Sequence, residues 1–518
     1  MKKFLKSIDI VALISALYFS FVCIIYVCLN IYSTTISRLL LALFIAIVSY
    51  IVFSFIIRKL RFLDGLNINE LAFKKKLIIF CSFSIVIFLL RLIWIFAYYP
   101  GSFSPDSISQ YKQALSGNYS DWHPVWHTIL FFTIPLKIFG NPASIVIMQN
   151  IYFALILGYM AITIVEIWSI KAAIISIAYI VLNPYTGYIM LYPWKDVGFA
   201  LGGLLCFVIA VRLVLKNKNT NKLWKMIVLG ILLSWTTVFR HNAILFTASL
   251  VVVLAFHVDK KTWTKIFVSF IISLFLIKVP FYNLLGVEKP DSRVVESMGL
   301  PLTIIGNVVK QTPELMDDEL RDFAYSIASQ EQWEKNYYCG NFNSIKFTGV
   351  DTTAVEEQGY FGMLKLMFKC FKLSPNASFG ALFALTDMVY GFENGLEGDN
   401  GAGITDNDYG IAYTDVKNST CEGIVTTYSS FINKTIFKYF RTYGVVLFVM
   451  LVLALSRLTF NSWASWKKAF MLIPIFCYDF GTMLLLTGPD SRFFFITFLV
   501  APLNIIFALC KEGNENNG

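Results

Sequence analysis

The sequence predicts an all-α polytopic membrane protein of about twelve transmembrane helices. One extracytoplasmic, mainly helical domain is expected between spans 9 and 10. Three observations carry this prediction. Of 518 residues, 57% are hydrophobic and 15% charged, with a mean hydropathy of +0.65, a balance foreign to a soluble domain of this size. Apolar runs of about 16–24 residues recur along the chain. The net charge of +10 is unevenly placed: Lys and Arg crowd the short loops between runs, whereas residues 287–434 hold about two thirds of all Asp and Glu. Small basic clusters between spans are the positive-inside pattern, and nucleic acid is not an expected partner.

The opening MKKFLKSIDIVALI imitates a signal peptide, but its apolar run is too long and no small-residue cleavage site follows. It reads as an uncleaved first span, 9–32. After the second, 38–58, the stretch RKLRFLDGLNINELAFKKK marks the cytoplasmic side, and span 77–98 then delivers the loop 99–142 outside. The run 124–140 carries Pro135 and Lys137. Were it to cross, the basic loop 216–225 would end outside, so it reads as a helix lying at the outer interface. Spans at 143–166, 171–190, 197–215, 225–239, 242–257 and 264–286 complete an N-terminal transmembrane module, 1–286.

Residues 287–434 form the extracytoplasmic domain. It opens on the amphipathic PLTIIGNVVKQ and an acidic helix around Asp317–Phe323. The stretch 362–373 sets Lys365, Lys369 and Lys372 at helical spacing beside aromatics, as an interface-lying helix requires. Residues 392–410, rich in Gly, Asn and Asp, read as loop. A C-terminal transmembrane segment, 435–518, follows with spans 443–458, 468–487 and 492–510, which leaves both termini in the cytoplasm of a multi-pass protein of the cell membrane. The nine cysteines show no CxxC spacing, so zinc and redox motifs have no support. Cys339, Cys370 and Cys421 fall in the polar segment, where a Cys339–Cys421 disulfide is compatible with the sequence. No internal repeat is visible, which counts against an inverted-repeat transporter.

The candidate site begins with Tyr98–Leu130, YYPGSFSPDSISQYKQALSGNYSDWHPVWHTIL. Asp106, Asp121, His123 and His127 fall in it, and the chain has only four histidines. An ordinary solvated loop is the plain alternative. Ionisable groups at the mouth of a helix bundle are nevertheless a site hypothesis by default. Asp196 and Asp490 are placed at the same outer level, with Lys195 in YPWKD, Arg240 and His241 in VFRHNA, and Arg492 in TGPDSRF. Any one of these suits a span-end anchor. As a set they run against the rule that outer ends are poor in Lys and Arg.

Arg and Lys beside apolar walls suit the phosphate of a lipid-linked substrate, and a carboxylate among them can act as general base. No Walker motif, GxGxxG, HExxH or GxSxG occurs, so nucleotide hydrolysis, zinc proteolysis and serine-hydrolase chemistry lack support. Asp106 and Asp121 with His123 offer an alternative divalent-cation site, but the spacing matches no recognised ligand set, and no cofactor is expected. Two charges sit deeper: Arg91 and Asp479 each fall roughly 12–14 Å below the outer surface, where they are placed either to pair with each other or for Arg91 to reach up toward the site.

At these residues the chain resembles the GT-C superfamily of polytopic glycosyltransferases, which use polyprenyl-phosphate-linked sugars. Their first outer loop carries an acidic residue and then a His-Pro or Tyr-Pro helix start; here PGSFSPDSISQY precedes DWHPVWHTILF. The chain is also similar to a group of Gram-positive membrane proteins of unknown function, the DUF6020 type. The matching pieces are PGSFSPDS, NPYTGYIMLYPWKDVGFA, FRHNAI, ESMGLPLTIIGNVVKQTPEL, NYYCGNFNSIKF and GPDSRFFF. The resemblance implies that Asp106 is the loop acid and general base. Where many relatives have two adjacent acids, this chain has Asp106 followed by Ser107.

The expectation is therefore a glycosyltransferase moving a sugar from a polyprenyl-phosphate-linked donor to an extracytoplasmic acceptor, a cell-wall glycopolymer or glycolipid. Asp106 is the catalytic candidate; Asp121, His123, His127, Lys195, Asp196, Arg240, His241 and Arg492 are the substrate-binding candidates. A transporter or flippase of lipid-linked sugars, needing a polar pathway through the bilayer, and a non-catalytic membrane assembly protein are the alternatives.

Overall fold

The computed structural model describes residues 9–30, 35–62, 69–215, 223–289, 294–391, 402–458 and 463–510. All the principal elements are helices: α1 Ile10–Asn30, α2 Thr35–Phe62, α3 Phe73–Ala97, α4 Pro105–Ser116, α5 Val125–Phe139, α6 Ala143–Ile167, α7 Ile170–Val181, α8 Lys195–Leu215, α9 Leu223–Val238, α10 Ile244–Leu254, α11 Lys260–Lys278, α12 Gly299–Gln311, α13 Thr353–Leu373, α14 Pro375–Tyr390, α15 Ser419–Asn433, α16 Tyr443–Leu458, α17 Ile473–Met483 and α18 Phe495–Leu509. Among the described residues six helices are long and apolar enough to cross a membrane, and six apolar helices of 10–17 residues accompany them. The chain is a multi-pass membrane protein.

Two of the expected spans are broken. Residues 171–190 divide after Val181, and a short helix restarts at Pro184. Residues 468–487 divide between Phe470 and Ile473, with Pro474 in the first turn of α17. The cause is the same in both. Proline lacks the amide hydrogen a continuing helix needs and disfavours helical backbone in the residue before it, so it begins a helix more readily than it continues one. Helix α5 holds a π-helical stretch, Thr128–Thr133, and buries Trp126, Phe131 and Phe132 while Ile138 and Phe139 stay exposed.

The bundle is organised around α8 and α18. In their most apolar windows 67% and 83% of residues are buried, against 11% for the window in α2, which marks α2 as peripheral. Helix α8 packs against α6, α9, α10 and α18, while α3 pairs with α6 and α9 with α11. A second core gathers Leu302, Ile305, Leu320, Trp333, Tyr337, Met363, Leu366 and Ala381 from the polar segment. The rest of that segment returns to the bundle: α14 touches α1, α16 and α17, and α15 lies along α3. Gly299 is what lets α12 approach the loop above α17, because a Cβ there would collide with the Leu486 carbonyl.

The expected Arg91–Asp479 pair does not form. Arg91 donates to Asn150 Oδ1 at 2.7 Å and to the Gly187 carbonyl at 2.8 Å, whereas Asp479 accepts from Thr497 Oγ1 at 2.7 Å. Each charge instead meets neutral polar groups of its own neighbours, and Arg91 Nη1 is left without a hydrogen-bond partner among the described residues. Cys339, Cys370 and Cys421 are free thiols, so the Cys339–Cys421 disulfide is absent.

Candidate active site

Four separate pieces of chain build the site. The first is the start of α4. Ser104 caps the helix by accepting from the Ser107 amide at 3.4 Å, and Pro105 fills the first turn, where its missing N–H costs nothing. Asp106 is thereby fixed in that first turn. The preceding residues are clamped on both sides: Ser102 donates its amide to the Leu191 carbonyl at 3.0 Å, and Phe103 donates to the Gly403 carbonyl at 2.9 Å. Gly101, at φ 133°, fits where a side chain would strike Val146.

The second piece is Trp194–Lys195–Asp196. Trp194 stacks on Tyr192 at 4.2 Å and donates its indole N–H to Ser104 Oγ at 2.8 Å, which holds the start of α8 beside the start of α4. Lys195 is the first residue of α8, half-buried, and among the described residues it forms no hydrogen bond or ion pair. Asp196, 1% exposed, takes the third piece, Arg240, as its partner. Arg240 also bonds Asn242 and lies 4.0 Å over the Phe493 ring.

Arg492, the fourth piece, ties the others together. Asp490 accepts from the Arg492 amide at 3.0 Å, and its Oδ2 forms an ion pair with the guanidinium at 2.9 Å. The same guanidinium reaches Asp106 Oδ2 at 3.3 Å and Asp196 Oδ2 at 3.7 Å, and it lies 5.1 Å from the Trp194 ring. One cation thus meets three carboxylates from three distant segments.

The electrostatics at Asp106 follow from these neighbours. Burial would raise its pKa, but the positive charges of Lys195 and Arg492 outweigh burial and hold the carboxyl below its usual range. It is ionised at neutral pH. His123 behaves in the opposite way: burial, and then Lys195, push its pKa down to about 4 against the pull of Asp106. It is 2% exposed, and its Nδ1 has no partner among the described residues. A base with a depressed folded-state pKa favours the fold above its unfolded value of 6.5 and loses that contribution as pH falls towards 4. The thermal midpoint should therefore fall on acidification through this window. In His123→Gln that part of the decline should vanish, and a calorimetric pH series on both proteins checks it.

The remaining candidates are placed unevenly. His127 is fully buried, with Nδ1 2.7 Å from Gln110 Oε1 and its ring stacked on Phe131 at 4.7 Å, a packed position behind the site. His241 is exposed and close enough to influence His123 electrostatically. Asp121 turns to Lys278 at 3.3 Å and the Tyr282 hydroxyl at 3.0 Å, tying the loop to α11 instead of joining Asp106 and His123. Among the described residues no three His, Cys, Asp or Glu side chains converge as a metal ion requires.

Sequence reading missed Ser104, Trp194, Gln110 and Glu296. Ser before Pro-Asp is a helix-start signal, and it marks Ser104. Glu296 acts on Lys195 through its charge and pairs with Lys346, and nothing in the sequence relates it to position 195.

Below the charged layer runs an apolar cleft of about 590 Å³ between α5, α6, α8 and α9. Its walls include Phe131, Tyr152, Gly198, Leu205, Trp235 and Phe239. Gly198 lies one turn beyond Lys195, Phe239 directly precedes Arg240, and Phe131 stacks on His127. The cleft and the charged cluster therefore share their boundary.

Residues 140–357 match the model of a family of unknown function, DUF6020. Lys195, Asp196, Arg240 and His241 lie within the match, while Asp106 and Arg492 lie outside it. No curated protein matches the sequence. Among solved structures, the archaeal oligosaccharyltransferase AglB from Archaeoglobus fulgidus, in complex with an inhibitory peptide and a dolichol-phosphate, aligns at a TM-score of 0.37 and 11% identity. The alignment covers 83% of this chain and 49% of that one, so this chain spans about half the length of that protein.

Proposed function

We propose that the protein is a membrane glycosyltransferase that takes a sugar from a polyprenyl-phosphate-linked donor and gives it to a hydroxyl of an extracytoplasmic acceptor. The observation that carries this reading is Lys195. It is a half-buried cation without an ion-pair partner among the described residues, at the N-terminus of a 21-residue helix and at the boundary of an apolar cleft. A lysine at a helix N-terminus attracts an anion through both the ammonium and the free backbone amides. A cleft opening among bilayer-facing helices accepts a lipid tail. An anion with a long apolar tail satisfies both.

In the proposed reaction the acceptor O–H attacks the anomeric carbon from the face opposite the phosphate. The acceptor oxygen–carbon bond forms as the carbon–oxygen bond to phosphate breaks, and the polyprenyl phosphate leaves with the electron pair. Asp106 takes the acceptor proton. Lys195, with Arg240 and Arg492 behind it, stabilises the negative charge that grows on the leaving phosphate. The acceptor is a cell-wall glycopolymer or glycolipid, and the site faces away from the cytoplasm of the cell membrane.

Binding measurements separate the phosphate from the tail. Lys195→Met should weaken polyprenyl phosphate by about 1–3 kcal/mol, the usual worth of a charged hydrogen bond. It should leave the uncharged polyprenol unaffected. Titration of both lipids into wild type and variant in nanodiscs decides the matter. Equal affinity for the phosphate in both proteins would remove Lys195 from the donor site.

A further inference from the structure

We propose that helix α13 lies in the outer leaflet of the bilayer, with its aromatic face among acyl chains, and so moors the second core to the membrane surface. This inference stands apart from the proposed chemistry and rests on one side of one helix. Met363, Leu366, Met367 and Cys370 point into the second core and are buried. Phe361, Leu364 and Phe368, spaced three and four residues apart, form a different stripe that is 90%, 39% and 60% exposed. Exposed phenylalanines at that density are foreign to a water-facing helix.

Two features identify what covers the stripe. The first is continuity. Phe371 on the same helix lies 5.1 Å from Phe379, which stacks on Phe383 at 6.1 Å, and Phe383 meets Phe21 of α1 at 6.1 Å. Phe21 itself ends an exposed apolar stripe on α1 that includes Ile10, Leu13, Ile14 and Leu17, the surface a first span offers to lipid. A chain of aromatic contacts therefore links the exposed apolar side of α1 through α14 to α13. The second is charge. Lys365 and Lys372 are exposed along one edge of the stripe. Lys365 pairs with Glu319, whereas Lys372 forms no ion pair among the described residues. An apolar face edged by lysine matches acyl chains below anionic headgroups.

The test uses the full chain in nanodiscs of phosphatidylethanolamine and phosphatidylglycerol. Trifluoromethyl-phenylalanine replaces Phe361 or Phe368 in turn, with a probe at solvent-facing Glu331 as reference. Fluorine resonances are read with a lipid carrying a nitroxide high on its acyl chain, and separately with a water-soluble gadolinium chelate. Loss of the signals at 361 and 368 to the lipid nitroxide, and their survival in gadolinium, is the expected result, with the reverse at 331. Loss to gadolinium at 361 and 368 would show a solvated face and overturn the proposal. Protection from both agents would show a protein cover, from this chain or a second copy, and would equally overturn it.

Discussion

Asp106→Asn should lower sugar transfer by about 10²–10⁴-fold, the usual contribution of a positioned general base. The substitution keeps the shape and loses the proton acceptor. Donor binding should survive, because removing the Asp106 charge takes away a competitor of the phosphate for Lys195 and Arg492. The measurement is product formation by purified wild type and variant, given polyprenyl-phosphate sugars and cell-wall acceptors, with donor binding followed in parallel. Equal product from both proteins would end the case for Asp106 as the base. A flippase or an assembly protein would yield no product in either, while purified protein in vesicles would show whether lipid-linked sugars are translocated.

The second large effect concerns the fold. Asp196 is 1% exposed and is shared by Arg240 and Arg492. Asp196→Ala leaves the buried Arg240 without its carboxylate, and breaking a buried pair from one side costs about 3–5 kcal/mol. The variant should unfold at a markedly lower temperature in nanodiscs. Arg240→Met, which leaves Asp196 still beside Arg492, should cost less. If the two variants unfolded alike, Arg492 would not be supporting Asp196 at all.

The charged residues of this site were legible in the sequence for a definite reason. Lys195, Arg240 and Arg492 stand at ends of apolar runs where positive charge is disfavoured, so their shared depth could be read without knowing the fold. Direction around a helix axis could not. By their positions in the sequence Arg91 and Asp479 are expected at comparable depths, yet each meets its own neutral partner, Asn150 and Thr497, because depth says nothing about which helix faces which. Asp121 is two residues from His123 and still turns to α11. The polar segment hid a similar ambiguity. Its composition is continuous over 287–434, while α14 and α15 pack back on the bundle through faces too short to read as spans.

The ion pair between Arg492 and Asp106 has a consequence for how charge moves during a turnover. With His123 neutral, the site sets three acids, Asp106, Asp196 and Asp490, against three bases, Lys195, Arg240 and Arg492. On the proposed reaction the donor phosphodiester carries one negative charge and the departing phosphomonoester two, while Asp106 gains a proton. The sum stays constant, and negative charge simply migrates from the carboxylate to the phosphate. Arg492 then loses one of its three carboxylate partners, keeps Asp490 and Asp196, and can turn the part of its charge that Asp106 had held towards the phosphate. Deprotonation of Asp106 to bulk water would call Arg492 back and loosen its hold on the spent lipid, so resetting the base and discharging the product would be one event.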